Sequence, residues 1–218
     1  MKIAVIGATG YVGNAVVKEL AERGHDVAAF ARNTGKVFAA DNVQAVATDV
    51  NAADFADKLQ GFDAVVSAFN PGWNNPNIGA DFAKGAAAIT EAAQAAAVPY
   101  LLVVGGAGSL YVAPGLQLID TPEFPQEIFA GANAARNLLT DLHDRRDVNW
   151  AFISPPAMFY EGSPFEPKGK YRFGQDDVLM SGDAPAGIHV DDLAKAIADD
   201  AEQKAHLFRR FTVAEVSV

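Results

Sequence analysis

The sequence predicts an α/β protein built on a doubly wound parallel sheet, and three observations support this prediction. Short apolar segments alternate with amphipathic segments along almost the whole chain. The apolar segments are apolar throughout rather than at every second residue, which is typical of parallel strands that helices cover on both faces. A glycine-rich loop joins the first apolar segment to the first amphipathic one, where a doubly wound sheet turns from its first strand into its first helix.

Six strands and four helices are predicted in the first two thirds of the chain. The strands are Lys2–Gly7, Asp26–Ala31, Val43–Ala47, Asp63–Ala68, Tyr100–Val104 and Asn149–Ser154. The helices are Tyr11–Arg23, Ala52–Leu59, Ile78–Ala97 and Gln126–His143, placed by apolar spacing and by the Gly or Pro that ends several of them. Right-handed crossovers between such strands give a Rossmann-type sheet.

Residues 1–218 are predicted to form a single domain, because the length suits one core and no internal repeat is present. Residues 156–186 are rich in Gly, Pro and aromatic residues, and we interpret them as a small substrate-side lobe over the carboxyl ends of the strands. Residues 187–218 return to the main fold. They are predicted as a strand at Gly187–Val190, a helix at Asp191–Gln203 and a strand at Arg210–Val216.

The composition limits the partners of the chain. Seventeen basic and 27 acidic residues give a formal charge of −10, which should repel nucleic acid and anionic membranes. The chain has no cysteine, and its four histidines show no metal-ligand spacing, so no metal site is expected. The amino terminus lacks the features of a signal peptide, which predicts a cytoplasmic location. The sequence leaves open whether the protein forms a homodimer, since a dimer interface and a covered sheet face look alike in a sequence.

The glycine loop is the strongest functional signal. Gly7, Gly10 and Gly13 lie three residues apart, directly after a strand and at the start of a helix. Such glycines allow the tight turn, the approach of a pyrophosphate to the backbone and close packing of helix on strand. The positive helix end and its free N–H groups then face the phosphates. The sequence therefore predicts a nicotinamide dinucleotide site, with a plain structural turn as the alternative.

The end of the second strand favours the phosphorylated cofactor. An NAD-binding protein normally has Asp or Glu here, whereas this chain has Phe30-Ala31-Arg32-Asn33. A guanidinium binds a 2′-phosphate well, so we expect NADP(H), with NAD as the alternative and a solvated Arg32 as the structural interpretation. Asp49 either contacts the adenine amino group or caps the helix near Ala52. Asn70 either contacts a ribose or forms a turn.

These residues and several later motifs resemble the atypical short-chain dehydrogenase/reductase superfamily. Within it, the chain is most similar to NADH-flavin-reductase-like, NAD(P)H-binding proteins, which are related to NmrA-like and biliverdin reductase B-like proteins. The resemblance covers nearly the whole chain. It rests on the segments Gly7–Gly13, Val103–Ser109, Trp150–Pro156, Gly169–Arg172, Ile188–Ala194 and Arg210–Val213.

The resemblance implies a catalytic role for Ser109, because the superfamily places a serine after the fifth strand. Members of the superfamily also carry a Tyr-x-x-x-Lys pair on the next helix, where the lysine lowers the pKa of the tyrosine. This chain has neither residue in the segment Glu127–Asn133, and Tyr111 has no obvious partner to replace them. Pro155 resembles the residue that places the nicotinamide, or else it simply ends a strand. The turn Gly105–Gly108 leaves room for a substrate.

The absent pair favours one reaction type. Reduction of a flavin, quinone or similar acceptor spreads charge over a conjugated system, and solvent can then supply the proton. We therefore predict an NAD(P)H-dependent reductase that transfers hydride to a flavin, quinone or similar conjugated acceptor, with any flavin acting as a substrate rather than as a bound cofactor. A non-catalytic redox sensor is the main alternative, and a nucleotide-sugar epimerase or dehydratase is a weaker one. The residues expected to contact the cofactor are Gly7, Thr9, Gly10, Tyr11, Val12, Gly13, Arg32, Asp49, Val50, Ala68, Phe69, Asn70, Gly105, Gly106 and Pro155.

Aromatic residues crowd the predicted lobe, and they have two interpretations. They either form the lobe's own small core or line a slot for a flat ring. The set comprises the five aromatic residues Phe159, Tyr160, Phe165, Tyr171 and Phe173, together with Met158. His189 and Asp191 are expected to be structural, with Asp191 as the N-cap of the following helix.

Overall fold

A computed structural model describes residues 1–216 of the chain. These residues form strands β1 (Lys2–Ile6), β2 (Asp26–Ala31), β3 (Val43–Ala47), β4 (Ala64–Ser67), β5 (Leu101–Val104), β6 (Tyr111–Ala113), β7 (Leu116–Gln117), β8 (Trp150–Ser154), β9 (Tyr171–Gly174), β10 (Met180–Ser181), β11 (Ala184–Pro185) and β12 (Arg209–Glu215). The α-helices are α1 (Tyr11–Glu22), α2 (Phe55–Lys58), α3 (Ile78–Ala95), α4 (Gln126–His143) and α5 (Val190–Gln203). Short 3₁₀ turns at Ala107–Ser109 and Leu118–Asp120 complete the set.

Eight strands form the main sheet, in the order β3-β2-β1-β4-β5-β8-β12-β9. All neighbouring pairs are parallel except β12 with β9. The strand order reverses between β1 and β4, and ligands of doubly wound sheets bind beside the carboxyl ends at such a reversal. This topology confirms the predicted Rossmann-type fold.

The core has two layers because successive side chains of each strand point to opposite faces. Ile3 and Val5 of β1 pack with α1 and α5, while Ala4 and Ile6 pack with α2, α3 and α4. Full burial of an aliphatic side chain contributes about 1.5–3 kcal/mol, so two covered faces stabilise the sheet strongly. This double burial explains why the central strands β4, β5 and β8 are apolar except for the serines that end β4 and β8. None of the helices in residues 1–216 combines the length and hydropathy needed to cross a bilayer.

The region after β8 differs from the prediction in two respects. Residues 171–174, placed in the lobe, instead form β9 and extend the main sheet, so the segment 156–186 is only partly a lobe. The predicted strand Gly187–Val190 is wrong, since Gly187 makes only an isolated bridge to Met158 and α5 already begins at Val190. A short apolar run before a helix start resembles a strand in sequence, but here it lacks a neighbouring strand for a continuous ladder.

The N-cap of α5 also differs from the prediction. His189, rather than Asp191, occupies the cap position, and its Nδ1 accepts a hydrogen bond from the Asp191 N–H at 3.2 Å. An imidazole nitrogen satisfies the same free helix N–H that a carboxylate would satisfy. Both residues are therefore structural, as expected, with their roles reassigned.

A buried polar cluster joins β5 to the end of α5. The Tyr100 hydroxyl donates to Asp200 Oδ2 at 2.6 Å, and His206 Nδ1 lies 2.6 Å from Asp200 Oδ1. Tyr100 is fully buried and Asp200 is 3% exposed. Burial, followed by the neighbouring Asp200 charge, raises the pKa of the Tyr100 phenol well above its usual range.

We expect this cluster to make the protein sensitive to alkali. The pKa of Tyr100 is raised in the folded state, so its contribution is complete below the unfolded-state value of about 10 and is lost as pH rises above it. The free energy of unfolding should therefore fall between about pH 9 and about pH 11, by up to about 1.4 kcal/mol per pH unit from this group. Urea denaturation across that range checks the prediction. Tyr100→Phe should flatten the fall, whereas the exposed control Tyr160→Phe should not; equal slopes in all three proteins would contradict it.

Candidate active site

The turn after β1 has the geometry of a dinucleotide-binding loop. Gly7 has a φ of +79°, and its N–H donates to the Phe30 carbonyl at 3.0 Å. A Cβ on Gly7 would lie 2.4 Å from the Ala68 carbonyl oxygen, and a Cβ on Gly13 would lie 2.1 Å from the Gly7 carbonyl oxygen. No side chain fits at either position, so α1 packs directly on the turn as the glycine spacing predicts.

The amino end of α1 presents free N–H groups. The first helical hydrogen bond runs from the Asn14 N–H to the Gly10 carbonyl at 2.9 Å, which leaves the N–H groups of Tyr11, Val12 and Gly13 without helical acceptors. The N-cap Gly10 supplies no side-chain cap. Such an end favours a bound anion through its N–H groups and its dipole. A pyrophosphate fits this position.

A cleft of about 380 Å³ extends from the glycine turn along the carboxyl ends of β1, β2 and β4. It brings together the predicted residues Gly7, Thr9, Gly10, Arg32, Asp49, Val50, Ala68, Phe69 and Asn70. It also contains residues that the sequence did not single out: Ile6, Phe30, Ala31, Thr48, Asn51, Pro71, Asn75, Asp81 and Lys84. The cleft therefore assembles the adenosine and pyrophosphate half of the predicted site from five separate segments.

Two cationic side chains line the cleft. Arg32 is exposed just after β2, and Lys84 of α3 also lines the cleft. Within residues 1–216 neither side chain forms an ion pair, so both are available to an anionic ligand. Lys84 is the single basic residue of α3, a signal visible in the sequence, but only the folded sheet places it near Arg32.

Asp49 and Asn70 both form local turns. Asp49 Oδ1 accepts from the Asn51 N–H at 2.8 Å, and this bond, with smaller effects of the charges on Arg32 and Lys84, holds the Asp49 pKa below its usual value. The alternative that Asp49 caps a helix is wrong, because α2 begins at Phe55 with Asp54 before it. Its contact with adenine stays a prediction.

Asn70 Oδ1 accepts from the Gly72 N–H at 2.7 Å, which confirms the turn interpretation of this residue. A ribose contact by Asn70 stays a prediction. The backbone turn that it forms carries the chain from β4 into the loop that borders the cleft.

The turn after β5 is only partly open. A Cβ on Gly105 would lie 1.9 Å from the ring of Phe152, which is fully buried, whereas Gly106 faces open space. Room for a substrate is therefore found at Gly106 rather than along the whole turn. Pro155 is buried directly after β8, and its contact with a nicotinamide stays a prediction.

Ser109 lies below this turn and is 2% exposed. Its Oγ accepts from Arg210 Nη1 at 3.3 Å, and Arg210 Nε donates to Asp176 Oδ1 at 2.8 Å. The guanidinium can only donate, so the Ser109 proton is left to point elsewhere. Sequence reasoning missed Arg210, because β12 lies far along the chain and only the fold brings Arg210 to Ser109. The catalytic role of Ser109 stays a prediction.

One of the lobe aromatics reaches the glycine turn. The Phe159 ring stacks on Tyr11 with centroids 5.6 Å apart and an interplanar angle of 28°. Burial, then the charges of Glu161 and Asp191, raise the Tyr11 pKa above its usual value. The other lobe aromatics do not join this stack. Tyr171 bonds to Asp199 of α5, Phe173 packs on Phe211, and Phe165 packs against Gly187.

This geometry defines a class of protein. A Rossmann-type sheet with a glycine turn and an anion-binding helix end at its strand reversal binds dinucleotides. Comparison with known families agrees, since the family described as NAD(P)H-binding matches residues 7–204. The chain belongs to this NAD(P)H-binding family. The resemblance predicted from the sequence is thereby confirmed at the level of a nicotinamide cofactor.

Three relatives show how far the similarity extends. YwnB of Bacillus subtilis (strain 168), an uncharacterised protein, is 37% identical over 219 residues and is matched over 98% of both chains. A structure from Streptococcus pneumoniae TIGR4, named as a candidate NADH-flavin reductase, is 32% identical, with a TM-score of 0.87 over 99% of this chain and 100% of that one. A structure from Bacteroides thetaiotaomicron, named as a candidate epimerase, is 34% identical, with a TM-score of 0.88 over 100% of this chain and 98% of that one. The cytoplasmic location stays a prediction.

Proposed function

We propose that the protein is an NADPH-dependent reductase that transfers hydride to a flavin, a quinone or a similar conjugated acceptor. The observation that carries the proposal is the combination of a cationic cofactor cleft with a helix α4 that lacks the usual proton donor. Arg32 and Lys84 line the cleft, and their positive charges suit a 2′-phosphate. On the reactive side, α4 contains neither tyrosine nor lysine, so the usual proton donor for carbonyl reduction is absent from it.

The residues of the chain position the reaction. When bound, NADPH supplies a hydride from its nicotinamide ring. The free N–H groups of α1 would hold the pyrophosphate, and Gly106 would leave space beside the turn after β5 for a flat acceptor. The acceptor would gain that hydride and one proton from solvent, which balances the oxidation of NADPH to NADP⁺. Delocalisation of the added charge over the ring system removes the need for a strong acid in the site.

The two competing functions rest on different observations. A redox sensor that binds the cofactor without turnover is favoured by the burial of Ser109 beneath Arg210. The Bacteroides relative carries the name of an epimerase, yet such chemistry uses the tyrosine that α4 lacks. The reductase therefore remains our proposal and the sensor the second candidate.

A panel of acceptors separates the candidates. NADPH and NADH oxidation is measured with FMN, riboflavin, menadione and small aldehydes, beside cofactor binding without an acceptor. We expect oxidation with flavin or quinone and little with aldehydes. Tight binding with no oxidation of any acceptor would overturn the reductase in favour of the sensor. Undiminished turnover in Ser109→Ala would exclude a catalytic role for Ser109, and the reductase proposal would still stand.

Cofactor choice provides a separate prediction. Arg32→Ala should raise the Kd for NADPH about tenfold or more while leaving the Kd for NADH nearly unchanged, because hydrogen bonds to charged groups contribute about 1.5–3 kcal/mol. Calorimetric titration with both cofactors measures this difference. Lys18→Ala on the outer face of α1 is the matched control and should bind both as the wild type does. Equal loss for the two cofactors in Arg32→Ala would contradict a 2′-phosphate contact.

A further inference from the structure

Trp73 is an aromatic side chain that no function described above uses. It is 60% exposed, the largest exposed fraction among the large hydrophobic residues described. Trp is usually well buried, so such exposure needs a reason. The residue lies in the loop that follows the carboxyl end of β4, which is the ligand-binding end of the sheet.

The loop that carries Trp73 is held by side-chain hydrogen bonds. Asn70 Oδ1 accepts from the Gly72 N–H at 2.7 Å on one side of Trp73. On the other side, Asn75 Oδ1 accepts from the Asn77 N–H at 2.9 Å, and Asn75 Nδ2 donates to Asp81 Oδ2 at 2.8 Å. The indole is thus presented by a structured segment. Asn70, Pro71 and Asn75 of this loop also form one wall of the cofactor cleft.

One edge of the indole lies over α4. A Cβ added at Gly131 would lie 3.0 Å from Cζ3 of Trp73 and 3.0 Å from Cδ1 of Ile78, so any larger residue there would push the indole away. The neighbouring Ala132 lies 3.5 Å from a Cβ built on Gly108, in the turn after β5. This part of α4 therefore packs both against the Trp73 loop and against the turn after β5, where Gly106 faces open space.

Gly131 lies in Glu127–Asn133, the segment where the superfamily pattern would place its tyrosine and lysine. A flat apolar surface, rather than a proton donor, lies beside α4 at this place. We infer that Trp73 is an acceptor-binding residue, whose exposed indole face stacks on the conjugated ring of a flavin or quinone. This inference rests on the proposed reductase function and names the residue that recognises its acceptor. Stacking on indole is tolerant of ring type, which suits a range of flat acceptors.

Steady-state kinetics test the inference. Trp73→Ala should raise the KM for riboflavin and for menadione about tenfold while the Kd for NADPH stays unchanged, and Trp73→Phe should recover most of the loss. Phe173→Ala is the matched control, because Phe173 is also an exposed aromatic, at 56%, but lies on the edge strand β9. An unchanged KM in Trp73→Ala, with turnover intact, would overturn the inference and leave the reductase proposal standing.

Tryptophan fluorescence gives a readout that does not depend on turnover. The chain has two tryptophans, and Trp150 is fully buried in the sheet. Riboflavin should shorten the lifetime of an exposed tryptophan component in the wild type, and Trp73→Phe should lack that component. Quenching that is equal in both proteins would overturn the inference. Quenching of Trp73 in a protein that oxidises no acceptor would support ring binding while overturning the reductase proposal.

Discussion

Gly13→Ala is expected to raise the Kd for NADPH at least about a hundredfold, equivalent to about 2.7 kcal/mol. The new Cβ would lie 2.1 Å from the carbonyl oxygen and 2.8 Å from the carbonyl carbon of Gly7. The Gly7 backbone is held in place, because the N–H groups of Gly7 and Ala8 both donate to the Phe30 carbonyl, so α1 must shift away from β1. That shift carries the free N–H groups of Tyr11 and Val12 away from the pyrophosphate. Overpacking should also lower the free energy of unfolding by about 1–3 kcal/mol.

Calorimetric titration with NADPH and urea denaturation measure the two effects of Gly13→Ala separately. Gly35→Ala is the control, since a Cβ there would meet only Asn33 Oδ1 at 3.4 Å, an ordinary contact. The control should bind NADPH as the wild type does. A Gly13→Ala protein with wild-type affinity would contradict the assignment of the pyrophosphate to this turn.

The second large effect concerns stability. Asp200→Ala should lower the free energy of unfolding by about 3 kcal/mol, because it leaves the buried Tyr100 hydroxyl without an acceptor and removes the partner of His206. Urea denaturation with a constant m-value measures the loss. Asp200→Asn keeps an acceptor oxygen and should lose less.

Asp144→Ala is the control for the Asp200 substitution, because Asp144 is exposed at the end of α4. Its free energy of unfolding should stay within about 0.5 kcal/mol of the wild-type value. A loss of similar size in the control, or none in Asp200→Ala, would contradict the structural role of the cluster.

The sequence predicts well the features that depend on residues close together in the chain. Strands covered on both faces are mostly apolar, and the glycine turn needs three glycines at fixed spacing, so both are visible without a fold. Arg32 follows β2 directly, and its exposure and place at the cleft agree with the expectation. Local patterns gave wrong strand predictions where strand formation depends on pairing with a distant segment. The apolar run at residues 187–190 has no continuous partner, while β9 pairs with a strand about 40 residues away and was missed.

The rest of the site depends on contacts between distant segments. Lys84 reaches the cleft from α3, and Arg210 reaches Ser109 from β12. No spacing along the chain relates either residue to the glycine turn. Ser109 was predicted from its place after β5, yet only the fold shows it buried and bonded to Arg210. Residue type suggested the candidate residues, and only the fold shows which of them lie close together.

Direct hydride transfer is the central claim, and a single-turnover experiment with deuterated cofactor tests it most directly. NADPH carrying deuterium at either face of nicotinamide C4 is mixed with excess protein and either menadione or FMN. We predict that the nicotinamide absorbance decays with a primary isotope effect for one face only, because the protein holds the ring in one orientation. Full binding of NADPH with no decay on mixing with either acceptor would contradict the reductase and leave a protein that only binds its cofactor.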